Sequence, residues 1–281
     1  MTIAVTGATG ALGDLVVESL LTTEAPGDVV AIVRDADKAS DLAARGVEVR
    51  VADYTDRDAL GKALVGVDKL LLISSNEVGQ RFAQHRNVID SAVTAGLPFL
   101  AYTSLTNATE SSNPLAPEHK QTEEYLAASG LAHAVLRNNW YHENYQAQLA
   151  SVAESGVLVA AAGEGKVAAA SRRDYADGAA KVLTTDGHHG KVYECTGDTA
   201  FSYADLADAL GQVTGREVVY QPVAAADVVA RMVQAGLDEG TAGFVAALDT
   251  SIAEGTLDVV DPILGKLIGR PTTSVADALK A

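Results

Sequence analysis

One cysteine among 281 residues, 21 cations against 37 carboxylates and no long apolar run are the chief shortages of this sequence, and each removes a class of function. A single thiol, Cys195, makes no internal disulfide, which points to a reducing, cytoplasmic compartment. The thiol itself reads as a small buried apolar group. The formal net charge of −16 sets a repulsive field against DNA, RNA and anionic membrane surfaces, so no nucleic-acid partner is expected. An anionic ligand then needs a local basic pocket. No stretch approaches the roughly 20 apolar residues of a spanning helix, so no membrane insertion is expected. No cationic leader with an apolar core stands ahead of the first motif. No metal is expected either, because His188-His189 lacks a second ligand pair at a suitable interval and reads as part of a loop.

What is present is an ordinary globular composition, 48% hydrophobic and 21% charged, with 25 glycines spread along the chain and no internal repeat. The chain opens on Ile3-Ala4-Val5-Thr6-Gly7-Ala8-Thr9-Gly10-Ala11-Leu12-Gly13, a β-branched run that feeds into glycines at 7, 10 and 13. An apolar-periodic segment, Leu15 to Leu21, follows as a helix would. Strand, glycine turn and helix in that order form a dinucleotide site. Gly7 permits the tight turn, Gly10 the close approach of backbone to a pyrophosphate and Gly13 the packing of helix on strand, while the helix N-terminus supplies N–H donors. Residues 7 to 13, Ala8, Thr9, Ala11 and Leu12 included, are therefore candidate cofactor contacts.

Val29 to Val33 is a continuous apolar strand ending at Arg34, with Lys38 one turn further on. A cation at this strand end accommodates the 2′-phosphate of NADP, whereas an acid marks NAD. The alternative is that both cations only solvate a loop. Val47 to Val51 alternates as a third strand and leads to Asp53, placed to contact an adenine amine. Leu70 to Ile73 makes a fourth, broken by Ser74-Ser75-Asn76 at the carboxyl edge of the sheet, where ligands collect. A helix over 84–94 closes at Gly96 and Pro98. A fifth strand, Phe99 to Thr103, a loop over 106–117, a helix over 118–129 and a sixth strand, His133 to Leu136, complete the alternation. The pattern predicts an α/β protein, a Rossmann-type doubly wound parallel sheet over residues 1–136. A strand near 191–196 rejoins it. Residues 137–281 form a smaller, mostly helical, discontinuous substrate-side lobe.

These residues resemble the NmrA-like branch of the atypical short-chain dehydrogenases/reductases, through residues 6–13 and Ile32-Val33-Arg34-Asp35. The likeness is greatest to the bacterial type 2 NAD(P)H:quinone oxidoreductases. It is carried by Leu71 to Arg81, by Leu136 to Tyr145 and by shorter segments at 101–105, 172–176 and 267–273. The resemblance implies NADPH binding and two-electron quinone reduction by direct hydride transfer, without flavin or metal. A homodimer is left open.

One departure from the wider superfamily bears on the chemistry. Leu115 falls where that superfamily has the tyrosine that protonates a carbonyl oxygen, and His119 where it has the lysine that holds the tyrosine and the nicotinamide ribose. An alkoxide formed without them needs a proton or an oxyanion site. A quinone is a better hydride acceptor, and its hydroquinone anion is delocalised, so the loss suits a quinone. His119 is the candidate proton donor, since an ordinary imidazole titrates near neutrality. The alternative is that it only positions the ribose or a water. After the sixth strand, Asn138, Asn139, Trp140, Tyr141, His142 and Glu143 are candidates to hold the nicotinamide, and Trp140, Tyr141 and Asn144 to hold the quinone, with Ser74, Asn138, Trp140 and Tyr141 expected to border the cleft. The alternative makes Trp140 and Tyr141 core residues. Thr103, at a strand end, and Arg172, reaching back toward the same pocket, complete the candidate set; Arg172 otherwise pairs with Asp174. The competing functions are an NADP(H)-sensing regulator without turnover and a reductase of another small carbonyl compound.

Overall fold

The computed structural model describes residues 1–280. Its first eleven regular elements alternate strand and helix: β1 (Ile3–Thr6), α1 (Ala11–Leu20), β2 (Val29–Val33), α2 (Ser40–Ala44), β3 (Glu48–Val51), α3 (Arg57–Ala63), β4 (Lys69–Leu72), α4 (Arg81–Thr94), β5 (Phe99–Leu105), α5 (Ala116–Ala128) and β6 (His133–Asn138). The strands lie in the order β3-β2-β1-β4-β5-β6, and the strand Lys191–Cys195 follows β6 as a seventh. All pairs from β3 to β6 are parallel, with Val5 level with Ala31 on one side and Leu71 on the other. This is the Rossmann-like α/β architecture read from the alternation. Every residue of β1 and β2 is buried, as helices on both faces of a parallel sheet require. At the edge, β3 carries Glu48 and Arg50, which pair with each other, and charge there disfavours pairing with another chain.

Two elements run longer than local sequence suggests. β5 and β6 continue through Ser104↔Arg137 and Leu105↔Asn138. The expected strands stop at Thr103 and Leu136; beyond them Glu123 on α5 accepts from Ser104 Oγ at 2.5 Å and from Arg137 Nε and Nη2 at 3.0 and 2.7 Å. Glu194 takes a further bond from Arg137 at 2.9 Å. α4 starts three residues before the expected Gln84, because Glu118 accepts from the backbone N–H of Gly79 and Phe82 at 2.9 and 3.2 Å and satisfies the open end of the helix.

The chain divides into two compact units. The first holds 1–108, 117–138 and 172–194, and the second 109–116, 139–171 and the chain from Cys195 on. In the first, the helix Arg172–Thr184 packs on α1, where Ser19 Oγ donates to Asp177 at 2.6 Å and Arg173 pairs with Glu18. The second unit has a parallel pair, Val157–Ala160 with Val219–Pro222, and an antiparallel pair, Lys166–Val167 with Phe201–Ser202. Helices that include Tyr203–Thr214 and Glu239–Ala253 accompany them around a core of Tyr145, Leu158, Tyr203, Leu206, Leu210 and Ile252. Among the described residues no helix is long and apolar enough to cross a membrane.

α1 lies so close to the turn after β1 that a Cβ on Gly13 would stand 2.2 Å from the Gly7 carbonyl oxygen and 2.8 Å from Ala8 Cα. Gly13→Ala therefore forces helix and strand apart and is expected to lower stability by about 1–3 kcal/mol in urea unfolding. Gly61→Ala on α3, with nothing within 4 Å of its Cβ, is expected to stabilise by about 0.5–1 kcal/mol. Wild-type stability for Gly13→Ala would contradict this packing.

Candidate active site

The turn between β1 and α1 is built by its glycines. Gly7 has φ +59°, a left-handed conformation that suits glycine, and its carbonyl accepts from Gly10 N at 2.9 Å. A Cβ on Gly10 would meet that same carbonyl at 3.1 Å. Gly7, Gly10 and Ala11 are exposed, Thr9 is half-buried, and Ala8, Leu12 and Gly13 face inward. The first-turn N–H groups of α1 have no acceptor within the helix, so an anion seated there gains donors and the positive helix end. The backbone exposed at Gly7, Gly10 and Ala11, together with these donors, is the chemistry a pyrophosphate needs.

β1 and β4 are neighbours whose connections leave to opposite sides, the switch point at which open α/β sheets bind ligands. A residue missed in the sequence braces this point. The Tyr54 hydroxyl lies 2.5 Å from Thr6 Oγ1 and donates to Ile73 O at 2.8 Å, and Thr6 Oγ1 accepts from Ile73 N at 3.0 Å. Burial raises the Tyr54 phenol well above its ordinary range and keeps it a neutral donor. After β2, Arg34 and Lys38 are both exposed. Arg34 Nη1 stands 3.3 Å from Glu77 Oε1. Asp53 Oδ1 accepts from Thr55 Oγ1 at 2.6 Å and Thr55 N at 2.8 Å, and these bonds hold its carboxyl below the usual range. Ionised Asp53 is an acceptor of the kind an adenine amine needs.

The loop after β4 is fixed from beneath. Thr103, 2% exposed, accepts from Ser74 N through Oγ1 at 2.9 Å, so its hydroxyl supports the loop. Ser75 N donates to His85 Nε2 at 2.9 Å, and Arg81 Nε donates to Ser75 O at 2.7 Å. His85 Nδ1 then carries the proton, which goes to Thr122 Oγ1 at 3.0 Å, and Thr122 donates to Glu118 O at 2.8 Å. Asn76 itself is exposed. Arg81 closes the segment 71–81 that carries the resemblance, but no local motif marks His85 or Thr122. The signal available was a 3.6-residue stripe on which polar side chains replace apolar ones.

His119 belongs to this buried set, 5% exposed. Its Nε2 faces Arg81 Nη1 at 3.4 Å and therefore accepts, while Nδ1 faces the Tyr102 hydroxyl at 2.8 Å. Burial, reinforced by the Arg81 charge, pushes its pKa well below the ordinary imidazole range. A neutral imidazole sealed between an arginine and a tyrosine is a poor source of protons near pH 7, so its surroundings favour the positioning reading of His119 over the donor reading. Leu115 is half-buried, its N–H donating to Asn113 Oδ1 at 2.9 Å.

Asn138 ends β6, and its carbonyl accepts from Thr106 N at 3.0 Å. Arg172, half-buried, opens its helix in the first unit. The remaining candidates lie in the second unit. Asn139 uses its amide on backbone, donating to Leu257 O at 3.1 Å and accepting from Trp140 N at 2.7 Å. Trp140 is half-buried and packs against the core of that unit. Tyr141 pairs with Ala170 in a parallel bridge. His142 donates to Thr273 O at 3.1 Å and tilts against Phe201, its ring 5.7 Å away. Glu143 and Asn144 follow in the 3-10 turn, both half-buried. Among the described residues no group of three or more His, Cys, Asp or Glu side chains is placed to hold a metal ion.

The buried imidazoles make stability depend on pH. Burial, then Arg81, brings His85 down to about 3. Both His85 and His119 stay neutral when folded but gain a proton in the unfolded chain below about pH 6.5. Stability is thus full above that value and falls as pH drops below it, by about 1.4 kcal/mol per pH unit for each histidine. Thermal unfolding from about pH 7.5 to pH 5 should show this decline, and His85→Gln or His119→Gln should flatten it. A melting point constant over this range would contradict the buried, neutral assignment.

Comparison with known proteins places this geometry. The chain matches the NmrA-like family over residues 1–261. It is 50% identical over 277 residues to Quinone oxidoreductase 2 of Escherichia coli, covering 99% of this chain and 97% of that one. The crystal structure of the Escherichia coli NADPH-dependent quinone oxidoreductase complexed with NADPH superposes with a TM-score of 0.96 at 50% identity, over 99% of this chain and 98% of that one. The Citrobacter triphenylmethane reductase complexed with NADP(H) superposes at 0.95 with 38% identity, over 99% of each chain. The chain belongs to the NmrA-like family.

Proposed function

We propose that the chain is an NADPH-dependent quinone oxidoreductase that reduces quinones by two electrons. One observation carries this above the rest: half of its residues, over nearly the full length, are identical to those of a quinone oxidoreductase whose NADPH complex has the same fold. What supports it on the chain itself is the exposed glycine turn ahead of the α1 N-terminus, of the kind that suits a pyrophosphate, and the exposed Arg34 and Lys38 after β2, the place where a 2′-phosphate is recognised in this fold.

When bound, NADPH supplies the hydride. The N–H groups at the start of α1 hold the pyrophosphate, Arg34 and Lys38 the 2′-phosphate, and Asp53 accepts from the adenine amine. Ser74, Ser75 and Asn76 order the ribose from the carboxyl edge of the sheet. Asn138 and Arg172 contribute polar groups toward the nicotinamide. On the second unit, Trp140 and Tyr141 offer flat apolar surface and Asn144 an amide to a quinone. With Leu115 and His119 in place of tyrosine and lysine, no side chain delivers a proton to the reduced oxygen. The delocalised hydroquinone anion takes it from water. The enzyme works in the cytoplasm, alone or as a homodimer.

Mixing protein, NADPH and a simple benzoquinone and following the absorbance of reduced nicotinamide tests this. Turnover above the protein-free control is expected, with a triphenylmethane dye as a second acceptor to measure preference. NADPH binding without turnover over a panel of acceptors would overturn the enzyme reading and leave a sensor. Arg34→Asp is expected to reduce the preference for NADPH over NADH by about tenfold or more, as loss of one charged phosphate contact implies. An unaltered preference would remove Arg34 from the 2′-phosphate site.

A further inference from the structure

One face of α4 presents Arg81, Gln84 and His85 at i, i+3 and i+4, all buried at 6%, 5% and 0% exposure. Two of them grip the peptide groups of a single residue, Ser75, from its two ends: His85 Nε2 takes the N–H and Arg81 Nε holds the carbonyl. Gln84 Nε2 donates to Glu77 Oε2 at 2.7 Å, and Glu77 Oε1 faces Arg34. The Glu77 N–H is itself held by Ser75 Oγ at 3.1 Å. From α5, Glu118 closes the start of α4, Thr122 fixes the proton of His85 on Nδ1, and His119 accepts from Arg81. An arginine and two imidazoles are thus withdrawn from water, an unfavourable transfer unless their bonds are well used. Arg81 and His85 use theirs on a segment that has no strand or helix bonds of its own, and His119 supports Arg81. That segment adjoins the glycine turn: Ile73 Cβ would be 4.0 Å from a Cβ on Gly7.

We propose that Arg81, Gln84 and His85 are positioning residues for the cofactor, holding residues 74–77 in place and, through Glu77, setting the Arg34 guanidinium. None of the three touches cofactor. They act on affinity by fixing beforehand a loop that would otherwise have to order on binding, which weakens association. The inference rests on the NADPH reading above and adds to it which residues prepare the site. Gln84 and Glu77 bear on the 2′-phosphate alone, since Arg34 is the group they reach, whereas Arg81 and His85 bear on both nicotinamide cofactors.

The test uses the full chain with His85→Leu, His85→Gln, Thr122→Val and Gln84→Leu. It reads the NADPH and NADH dissociation constants by fluorescence titration, kcat and KM in turnover, and amide hydrogen exchange of 74–77 in the cofactor-free protein. His85→Leu is expected to weaken NADPH by about tenfold, with KM for NADPH rising in step and kcat staying within about threefold. Exchange at Ser75 should accelerate. His85→Gln, whose side-chain carbonyl reaches the Ser75 N–H, should restore most of the affinity. Thr122→Val keeps the volume but removes the acceptor of the His85 proton, and is expected to weaken NADPH by about threefold with the fold intact. It serves where His85→Leu does not fold. Gln84→Leu should weaken NADPH more than NADH. Wild-type affinity and exchange in Thr122→Val or in folded His85→Leu, or a His85→Gln no better than His85→Leu, would overturn the proposal. Wild-type protein that fails to bind NADPH would instead overturn the NADPH reading.

Discussion

The contact between α1 and the Gly7 carbonyl governs the rest of the first unit. Because residue 13 has no Cβ, the helix can lie directly against the turn, which brings its N-terminus to the carboxyl edge of the sheet. β4 runs beside β1 in register, and Thr6 and Tyr54 tie the ends of both strands together. The anion cradle and the loop after β4 are therefore neighbours by construction. A substitution that moved α1 outward would disturb both, since the loop has no regular structure of its own to fall back on.

A second constraint comes from burying cationic and titratable groups beside that edge. Arg81, His85 and His119 sit within the first unit with almost no exposure. Their environment selects one protonation state: each imidazole must offer one nitrogen as acceptor, so both are neutral, and burial enforces this. The same arrangement that makes His119 a good structural acceptor makes it a poor acid. Chemistry at a substrate oxygen then has to suit an acceptor that needs little help, and a quinone is such an acceptor.

Much of this was legible in the sequence where short-range patterns decide it. The buried runs of β1, β2 and β4, the glycines at 7, 10 and 13, and the cations after β2 each show their character locally, and the resemblance at 71–81 and 136–145 supplied the chemistry. What was not legible depends on partners far along the chain. Glu118 extends α4 backward from thirty-six residues away, and Glu123 with Glu194 carries the fifth and sixth strands on through Ser104 and Arg137, past their expected ends. Thr103 and Asn139 read as cofactor contacts at strand ends, and no pattern around them announces that Thr103 Oγ1 meets the Ser74 N–H or that the Asn139 amide meets the Leu257 carbonyl. Hydrophobic periodicity registers a buried polar residue as a break in pattern, and it cannot say which peptide group that residue will meet.

The central claim is direct hydride transfer from NADPH to a quinone on this chain. It is tested most directly in a single-turnover reaction of the NADPH-loaded protein with excess benzoquinone, repeated with NADPH deuterated at the transferred position. The expected result is oxidation faster than in the protein-free control, slowed by a primary isotope effect, from protein that carries no flavin. Oxidation at the protein-free rate, or acceleration that requires added flavin, would contradict it.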